Sequence, residues 1–291
     1  MKKILVATDF SARSDRAIRR AILLAREIGA AITLVHVVDD DQPRELVENE
    51  CELSEKILAD HCQTLRDLDR VDCAYVVALG DPFEGIASAA AGLCADLVIL
   101  GSHRRSAFKN LFLGTTAERT IRIMERPVLM ATGIPSSPWR HILVGVDFSG
   151  STLAAFDAIR SLGIGAEATV TAVHVFDAPG SGLLAHSAAS RDAAASYFET
   201  QNARAEKKLA RFIEQAGLTP DVCTVRVSDG SAGSVLANTA RELSADLVVI
   251  GTHSRTGVSK LMLGSTAADV FRAASMDVLA VPGMRGIPDT D

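Results

Sequence analysis

A pattern of glycines and hydroxyl residues that could hold an anion follows an apolar run near the end of the chain. The run covers residues 245–250, Gly251 ends it, and Gly264, Ser265 and Thr266 come just before a segment with helical spacing. A short β-branched run that ends in glycine predicts a buried parallel strand opening into a loop. Backbone N–H groups at a helix start bind anions when no side chain is in the way. The pattern therefore predicts a phosphate-binding loop between a strand and a helix.

The first part of the chain carries the same arrangement 150 positions earlier. Gly101 follows an apolar run, and Gly114, Thr115 and Thr116 precede another helical segment. Other segments repeat at an offset of 138, namely residues 4–11 with 142–149 and residues 33–37 with 171–175. The chain is therefore a tandem duplication. A hydroxyl residue at a helix start also serves as a helix cap, so each loop has a purely structural alternative.

Strand and helix patterns alternate along both copies of the repeat. Each copy contains five apolar strand-like runs separated by segments with helical spacing. Such alternation predicts parallel sheets with right-handed crossovers. We expect an α/β fold of two tandem flavodoxin-like (Rossmann-like) domains, each with a five-stranded parallel sheet and flanking helices. Sheets of this kind bind ligands at the carboxyl edge, where the strand order reverses.

A short linker over residues 133–138 separates the two copies and contains two prolines, which limit its reach. We therefore expect domains at residues 1–137 and 138–291. The last strand of each, near residues 127–131 and 277–281, is apolar and prone to pairing if it is left open at an edge. Pairing of these strands across a pseudo-two-fold axis would make the chain an internal pseudo-dimer.

These motifs resemble those of the universal stress protein family in its tandem two-domain form, and the resemblance covers nearly the whole chain. It rests on the aspartate that ends the first strand, on the His-Val end of the second, and on a Gly-x2-Gly-x9-Gly-Ser/Thr loop. The resemblance implies a ligand site between the first and fourth strands of each half. It also implies dimerisation through the last strand, and a homodimer of the whole chain is a further expectation.

The resemblance implies roles for individual residues in binding ATP, with Mg²⁺ as an optional companion of the phosphates. Asp9 and Asp147 would contact the adenosine part, and main-chain groups of Val37 and Val175 would meet the adenine edge. Taken alone, the aspartates could simply form Asx turns that cap the next helix, and the valines could be core strand residues. The candidate site residues are Asp9, Val37, Gly101, Arg104, Gly114, Thr115 and Thr116 in the first half, and Asp147, Val175, Gly251, Ser254, Gly264, Ser265 and Thr266 in the second.

The loop departs from the family pattern at its middle glycine, which is Arg104 in the first half and Ser254 in the second. A β-carbon at a position that needs positive φ costs on the order of 1 kcal/mol. Ser254 is small and its hydroxyl could contact phosphate. Arg104 could either clamp a phosphate or fill its space. The second half is therefore expected to bind ATP more tightly.

Charge and composition exclude several classes of partner. The net charge of −6 argues against nucleic acid, and no apolar run approaches the roughly 18 residues of a membrane span. The five cysteines lack metal-ligand spacing, so we expect neither a metal site nor a disulfide. Cys51 and Cys62 are expected to be small core residues on a helix, and His36 and His174 to be core histidines. A cytoplasmic protein is the resulting expectation.

The sequence thus predicts an ATP-binding regulator or sensor that acts in stress response. One alternative is an interaction module of the same fold that has lost nucleotide binding. A second is an ATP-using enzyme, adenylating or hydrolysing, but no Walker, GxSxG or Ser-His-Asp arrangement is present. No catalytic residue is assigned, and slow ATP hydrolysis is the most that we expect.

Overall fold

The structure is a computed structural model that describes residues 1–102, 115–177, 191–252 and 263–283. Its strands and helices alternate in both halves, as the duplication predicts. The strands are β1 (Lys3–Ala7), β2 (Ala31–Val38), β3 (Cys73–Leu79), β4 (Leu97–Gly101), β5 (Val128–Ala131), β6 (His141–Gly145), β7 (Thr169–Phe176), β8 (Val222–Val227), β9 (Leu247–Gly251) and β10 (Asp277–Val281).

The described helices flank these strands. They are α1 (Ala12–Ile28), α2 (Arg44–Thr64), α3 (Pro82–Gly92), α4 (Thr115–Ile123), α5 (Gly150–Leu162), α6 (Arg191–Gln215), α7 (Ala232–Glu242) and α8 (Ser265–Ala273). The sequence predicts one helix from Arg44 to about Leu68. In the structure α2 gives way to a π-helical turn, Leu65–Asp69, which ends at Arg70 in the left-handed region with φ of 60°.

The helices that follow the first strand of each half have matching ends. Ser11 caps α1 and Ser149 caps α5, since each side-chain oxygen accepts a hydrogen bond from a backbone amide two residues later. Gly29 and Gly163 end these helices with φ of 65° and 73°, a conformation that glycine adopts without steric cost. The two copies therefore fold alike from strand to helix end.

The strands form one continuous ten-stranded sheet in the order β3-β2-β1-β4-β5-β10-β9-β6-β7-β8. All neighbours within each half are parallel, whereas β5 and β10 pair antiparallel, with Leu129 opposite Leu279. The predicted pairing of the two last strands is confirmed. The halves consequently share a single sheet instead of packing as two separate ones.

Alternate residues of each strand supply the two faces of this sheet. Ile4 and Val6 belong to the apolar layer beneath α1 and α5, whereas Leu5 belongs to the layer beneath α3, α4, α7 and α8. Each layer contains buried residues from both halves, so the core is continuous across the junction. Burial on both faces explains why the strands are almost uniformly apolar.

A buried ion pair reinforces the junction between the halves. Arg20 of α1 is 7% exposed and Asp277 of β10 is 2% exposed, and Arg20 Nε lies 2.7 Å from Asp277 Oδ2. The Trp139 indole also donates to Oδ2, at 3.0 Å, and the Thr132 amide donates to Oδ1, at 2.9 Å. Arg20 Nη1 donates to the Ser137 carbonyl, so both charged groups have several protein partners.

Candidate functional site

The carboxyl edge of the first half contains a cleft of about 280 Å³ where β1 and β4 lie side by side. Its lining includes four residues predicted from the sequence, Asp9, Val37, Gly101 and Thr116. In the order β3-β2-β1-β4-β5, this is the point at which successive strands are added on opposite sides. The cleft therefore lies where a parallel sheet with this order binds ligands.

Asp9 stands at the end of β1 in a tightly bonded turn. Its Oδ1 accepts hydrogen bonds from the Ser11 amide and hydroxyl, and its Oδ2 lies 3.6 Å from Arg13 Nη2. Partial burial raises the pKa of Asp9, but the hydrogen bonds from Ser11 and Ser14 and the Arg13 charge outweigh it and lower the pKa below its ordinary value. The carboxylate is thus ionised and already engaged with a cation.

Asp147 occupies the matching position after β6 and is bonded differently. Its Oδ1 accepts from the Ser149 amide at 3.0 Å, from the Ser149 hydroxyl at 2.6 Å and from the Thr152 hydroxyl at 2.7 Å. All three bonds end on the same oxygen, and Asp147 is an exposed residue. At the position of Arg13 the second half has Ser151, which carries no charge.

Gly101 and Gly251 let the fourth strand of each half approach the first turn of the helix that follows the first strand, α1 or α5. A Cβ on Gly101 would come within 2.7 Å of the Arg13 carbonyl oxygen, and one on Gly251 would overlap Ser151. Neither position can carry a side chain without moving this backbone. The two glycines therefore bring the strand end and the helix start together, which a ligand at this edge would need.

In the second half, a hydrogen bond joins the two residues that flank the loop between β9 and α8. Gly251 is the last residue of β9, the next residue Thr252 is buried, and the Gly264 amide donates to the Thr252 carbonyl at 3.1 Å. The two ends of the loop are thus hydrogen-bonded to each other, directly before α8. Gly264 is the N-cap residue of α8 and makes no side-chain cap bond, and Ser265 and Thr266 begin that helix as exposed residues.

The remaining predicted residues have the following positions. Val37 lies in β2 and Val175 in β7, both half-buried, and Val37 touches the position where a Cβ on Gly85 would stand. Thr115 is the first residue of α4. Arg104, Gly114 and Ser254 lie outside the described residues.

The repeated histidines hold strand ends together. His36 Nδ1 lies 2.8 Å from the Thr8 carbonyl and His174 Nδ1 lies 2.8 Å from the Val146 carbonyl. A carbonyl only accepts, so Nδ1 is the donor in both rings. Each ring also packs on the phenylalanine of the Asp-Phe-Ser turn, with centroids 4.3 Å apart. The prediction that these are structural histidines is supported by this bonding.

Two features of the turns were missed in the sequence. Phe10 and Phe148 adopt left-handed conformations, with φ of 57° and 64°, and their repetition beside the aspartates was the available signal. Arg13 faces Asp9 from the first turn of α1. A helix N-terminus favours anions, and the Asp9 carboxylate offsets the unfavourable position of the Arg13 charge there.

Within residues 1–102, 115–177, 191–252 and 263–283, no helix combines the length and apolarity needed to cross a bilayer. The same ranges contain no group of three or more His, Cys, Asp or Glu side chains placed to hold a metal ion.

The comparisons with known proteins agree with the duplicated architecture. Residues 1–132 and 138–282 each match the universal stress protein family. The chain is 31% identical over 199 residues to universal stress protein Rv2005c of Mycobacterium tuberculosis, a match that covers 64% of this chain and 61% of that relative. A universal stress protein of Mycolicibacterium smegmatis is 26% identical over 306 residues and 96% of both chains.

A solved structure shows the same fold at full length. The universal stress protein from Archaeoglobus fulgidus superposes with a TM-score of 0.68 at 18% identity, covering 97% of this chain and 98% of that one. This likeness concerns the fold, and the family assignment rests on the match of residues 1–132 and 138–282 to the family. The chain belongs to the universal stress protein family, in its tandem two-domain form.

Proposed function

We propose that this protein binds ATP at the carboxyl edge of its second half and acts as a regulator or sensor in stress response. The observation that carries the proposal is the Gly264–Thr252 hydrogen bond, which holds the uncapped start of α8 beside the end of β9. The start of α8, which is the proposed phosphate-binding element, and the end of β9 then belong to one continuous surface. We also propose residues 1–137 and 138–291 as the two domains.

The start of α8 suits a phosphate tail. The first amides of a helix have no partner within that helix, and no side chain of Gly264 takes their place. The partial positive charge of a helix N-terminus adds to their attraction for an anion. In this proposal the amides of Ser265 and Thr266 and their exposed hydroxyls hold the phosphates.

Asp147 suits the sugar of a nucleotide. A ribose offers two vicinal hydroxyl donors, and the other carboxylate oxygen of Asp147, Oδ2, would accept from them. Ser149 and Thr152 fix Oδ1, so the carboxylate is oriented before a ligand arrives. Such preorganisation reduces the entropy lost on binding. Val175, at the end of the neighbouring strand, would offer main-chain groups to the base.

The first half provides an estimate of the space at this edge. Its cleft of about 280 Å³ lies just below the 300–1,000 Å³ of common ligand sites, enough for the nucleoside part of ATP. Its Asp9, however, is paired with Arg13. We therefore propose the first half as the weaker ATP site.

The test is direct analysis of the full chain. Protein purified without added nucleotide is denatured, and the released small molecules are identified by chromatography and mass spectrometry. Calorimetric titration of ATP into nucleotide-free protein then gives affinity and stoichiometry. ATP release or saturable ATP binding is expected. Absence of both would leave the interaction-module alternative as the better description.

A further inference from the structure

Two buried cysteines meet at the outer edge of the first half. Cys62 lies near the end of α2 and Cys73 begins β3, and they are 1% and 5% exposed. Their Sγ atoms are 2.6 Å apart. A disulfide bond spans about 2.05 Å, so the two sulfurs need to move only a few tenths of an ångström to be bonded. The spacing of the five cysteines predicts no disulfide. That prediction does not take account of α2 and β3, which bring Cys62 and Cys73 together.

The surroundings distinguish the two thiols. The hydrogen bond with Cys73 lowers the pKa of Cys62 and outweighs the effect of burial, and the positive charge of Arg66 lowers it further. The same hydrogen bond, together with burial, raises the pKa of Cys73. Arg66 Nε is held in place by the Cys73 carbonyl, to which it donates at 3.0 Å. Cys62 is thus the more nucleophilic member, with a protonated thiol beside it.

We propose that Cys62 and Cys73 are a redox-responsive pair, which hydrogen peroxide or a similarly small, uncharged hydroperoxide converts to an intramolecular disulfide. The inference is independent of ATP binding. It rests on the sulfur–sulfur contact, the burial of both residues and the cation one helical turn from Cys62.

The chemistry balances in two steps. The Cys62 thiolate attacks one peroxide oxygen and the O–O bond breaks, which gives a sulfenic acid; the hydroxide that leaves takes up the proton lost by Cys62 and becomes water. Cys73 then attacks the Cys62 sulfur, the S–O bond breaks, and the departing hydroxide accepts the Cys73 proton. Two thiols and one hydrogen peroxide thus yield one disulfide and two waters, whereas an organic hydroperoxide would give one water and its alcohol; a dithiol reductant reverses the change.

Burial determines which oxidant fits. Bulky or charged disulfides cannot reach sulfurs that are 1% and 5% exposed, whereas a small peroxide can enter during local opening of an edge element. Cys94 and Cys223 are exposed and Cys51 is partly exposed, and within the described part of the chain none of the three bonds to another sulfur. Burial also raises the pKa of Cys51 and of Cys223, which makes both poorer nucleophiles.

The pair belongs to the first half alone. Cys73 lies opposite Ile32, and the same register in the second half puts Asp221 in that place, where its carboxylate accepts from the Val170 amide. Oxidation would therefore bind α2 to β3 without changing the matching elements of the other half. Of the two halves, the first therefore contains the proposed redox-responsive cysteine pair and the second does not.

The experiment uses the full chain with Cys51, Cys94 and Cys223 replaced by serine, so that only the pair remains. Folded protein is treated with a small excess of hydrogen peroxide, quenched, denatured and alkylated. Trypsin cleaves after Arg66 and Arg70, which lie between the two cysteines, so only a disulfide can hold their peptides together. We expect loss of both alkylation sites, a cross-linked peptide pair, and full recovery of both thiols after dithiothreitol.

Cys73→Ser in the same background is the matched control. It should form no cross-link and should retain a Cys62 sulfenic acid that dimedone traps. The proposal is overturned if both thiols stay alkylatable at a peroxide dose that oxidises free cysteine. It is equally overturned if Cys62 proceeds to sulfinic acid while Cys73 remains a thiol, or if the cross-link forms only in denatured protein.

Discussion

The ends of β1 and β6 are copies of one turn that differ in charge. In both, an aspartate accepts from the amide and hydroxyl of a serine two residues later, and that serine caps the next helix. Asp9 then faces the Arg13 guanidinium, whereas the second half has the uncharged Ser151 at that position. Duplication has preserved the hydrogen bonds that fold the turn. The residue that decides how available the carboxylate is lies outside the repeated motif.

The junction shows the same contrast between backbone symmetry and side-chain asymmetry. β5 and β10 pair as equivalent strands, yet the buried Arg20–Asp277 pair has no counterpart by repeat position. Ala158 stands where the second half would need the arginine, and Pro127 stands where the first would need the aspartate. The pseudo-two-fold axis therefore relates β5 to β10, but it does not relate the Arg20–Asp277 pair to a second ion pair. This buried pair lies on one side of the junction.

Breaking the junction should have the largest effect. Asp277→Ala leaves the buried Arg20 charge without its partner, and we expect a loss of about 3–5 kcal/mol in the free energy of unfolding. Asp157→Ala is the matched control, because it removes the exposed Arg160–Asp157 pair and should cost no more than about 1 kcal/mol. Urea unfolding of both variants measures the difference. Equal losses in the free energy of unfolding would show that the buried Arg20–Asp277 pair matters no more for stability than an exposed pair.

Gly264→Asp should remove the proposed ATP site of the second half. The new carboxylate would stand at the helix start where phosphates need amides, and we expect at least about a 100-fold loss of affinity, or about 2.7 kcal/mol. The fold should survive, since Gly264 has φ of −56° and a Cβ there lies 3.4 Å from the Thr252 oxygen, its single close neighbour among the described residues. Gly264→Ala is the control that adds the Cβ without the charge. Calorimetry that finds unchanged ATP affinity in Gly264→Asp would make the loop purely structural.

The paired variants Asp147→Ala and Asp9→Ala sharpen the comparison of the two turns. Both lose the bonds to a capping serine, so their stabilities should fall alike, by about 1 kcal/mol. ATP affinity should fall about tenfold, or about 1.4 kcal/mol, only for Asp147→Ala. Arg13→Ser, which gives the first half the residue of the second, should strengthen its ATP binding. If Asp9→Ala lost more ATP affinity than Asp147→Ala, the first half would be the stronger ATP site.

The smallest effect concerns pH. Burial lowers the pKa of His174, and the nearby Lys208 lowers it further, although the Val146 carbonyl and Asp147 oppose them. Because the folded pKa lies below the unfolded value of about 6.5, the unfolded chain takes up the proton first. The contribution of His174 is therefore complete above about pH 6.5 and is lost as the pH falls below it. His174→Gln should flatten the pH dependence of the urea midpoint in this range; an unchanged slope would contradict the mechanism.

Much of the fold follows from the sequence because its causes are local or duplicated. Buried runs such as residues 97–100 can only be strands, and the apolar edges of the two last strands required a partner. The contact between Arg13 and Asp9 was not predictable in this way, since it depends on how the turn directs both side chains. Cys62 and Cys73 likewise meet only because the π-helical turn and the next strand reverse the chain. The roles of Arg104 and Ser254 stay predictions.

The antiparallel pairing of β5 with β10 has a consequence for how the molecule meets its surroundings. Every strand of one half runs opposite to every strand of the other, so the two carboxyl edges point away from each other across the sheet. Whatever is recognised at one edge cannot compete sterically with what is recognised at the other. Ligands bound at the two carboxyl edges would therefore lie at opposite edges of one shared sheet.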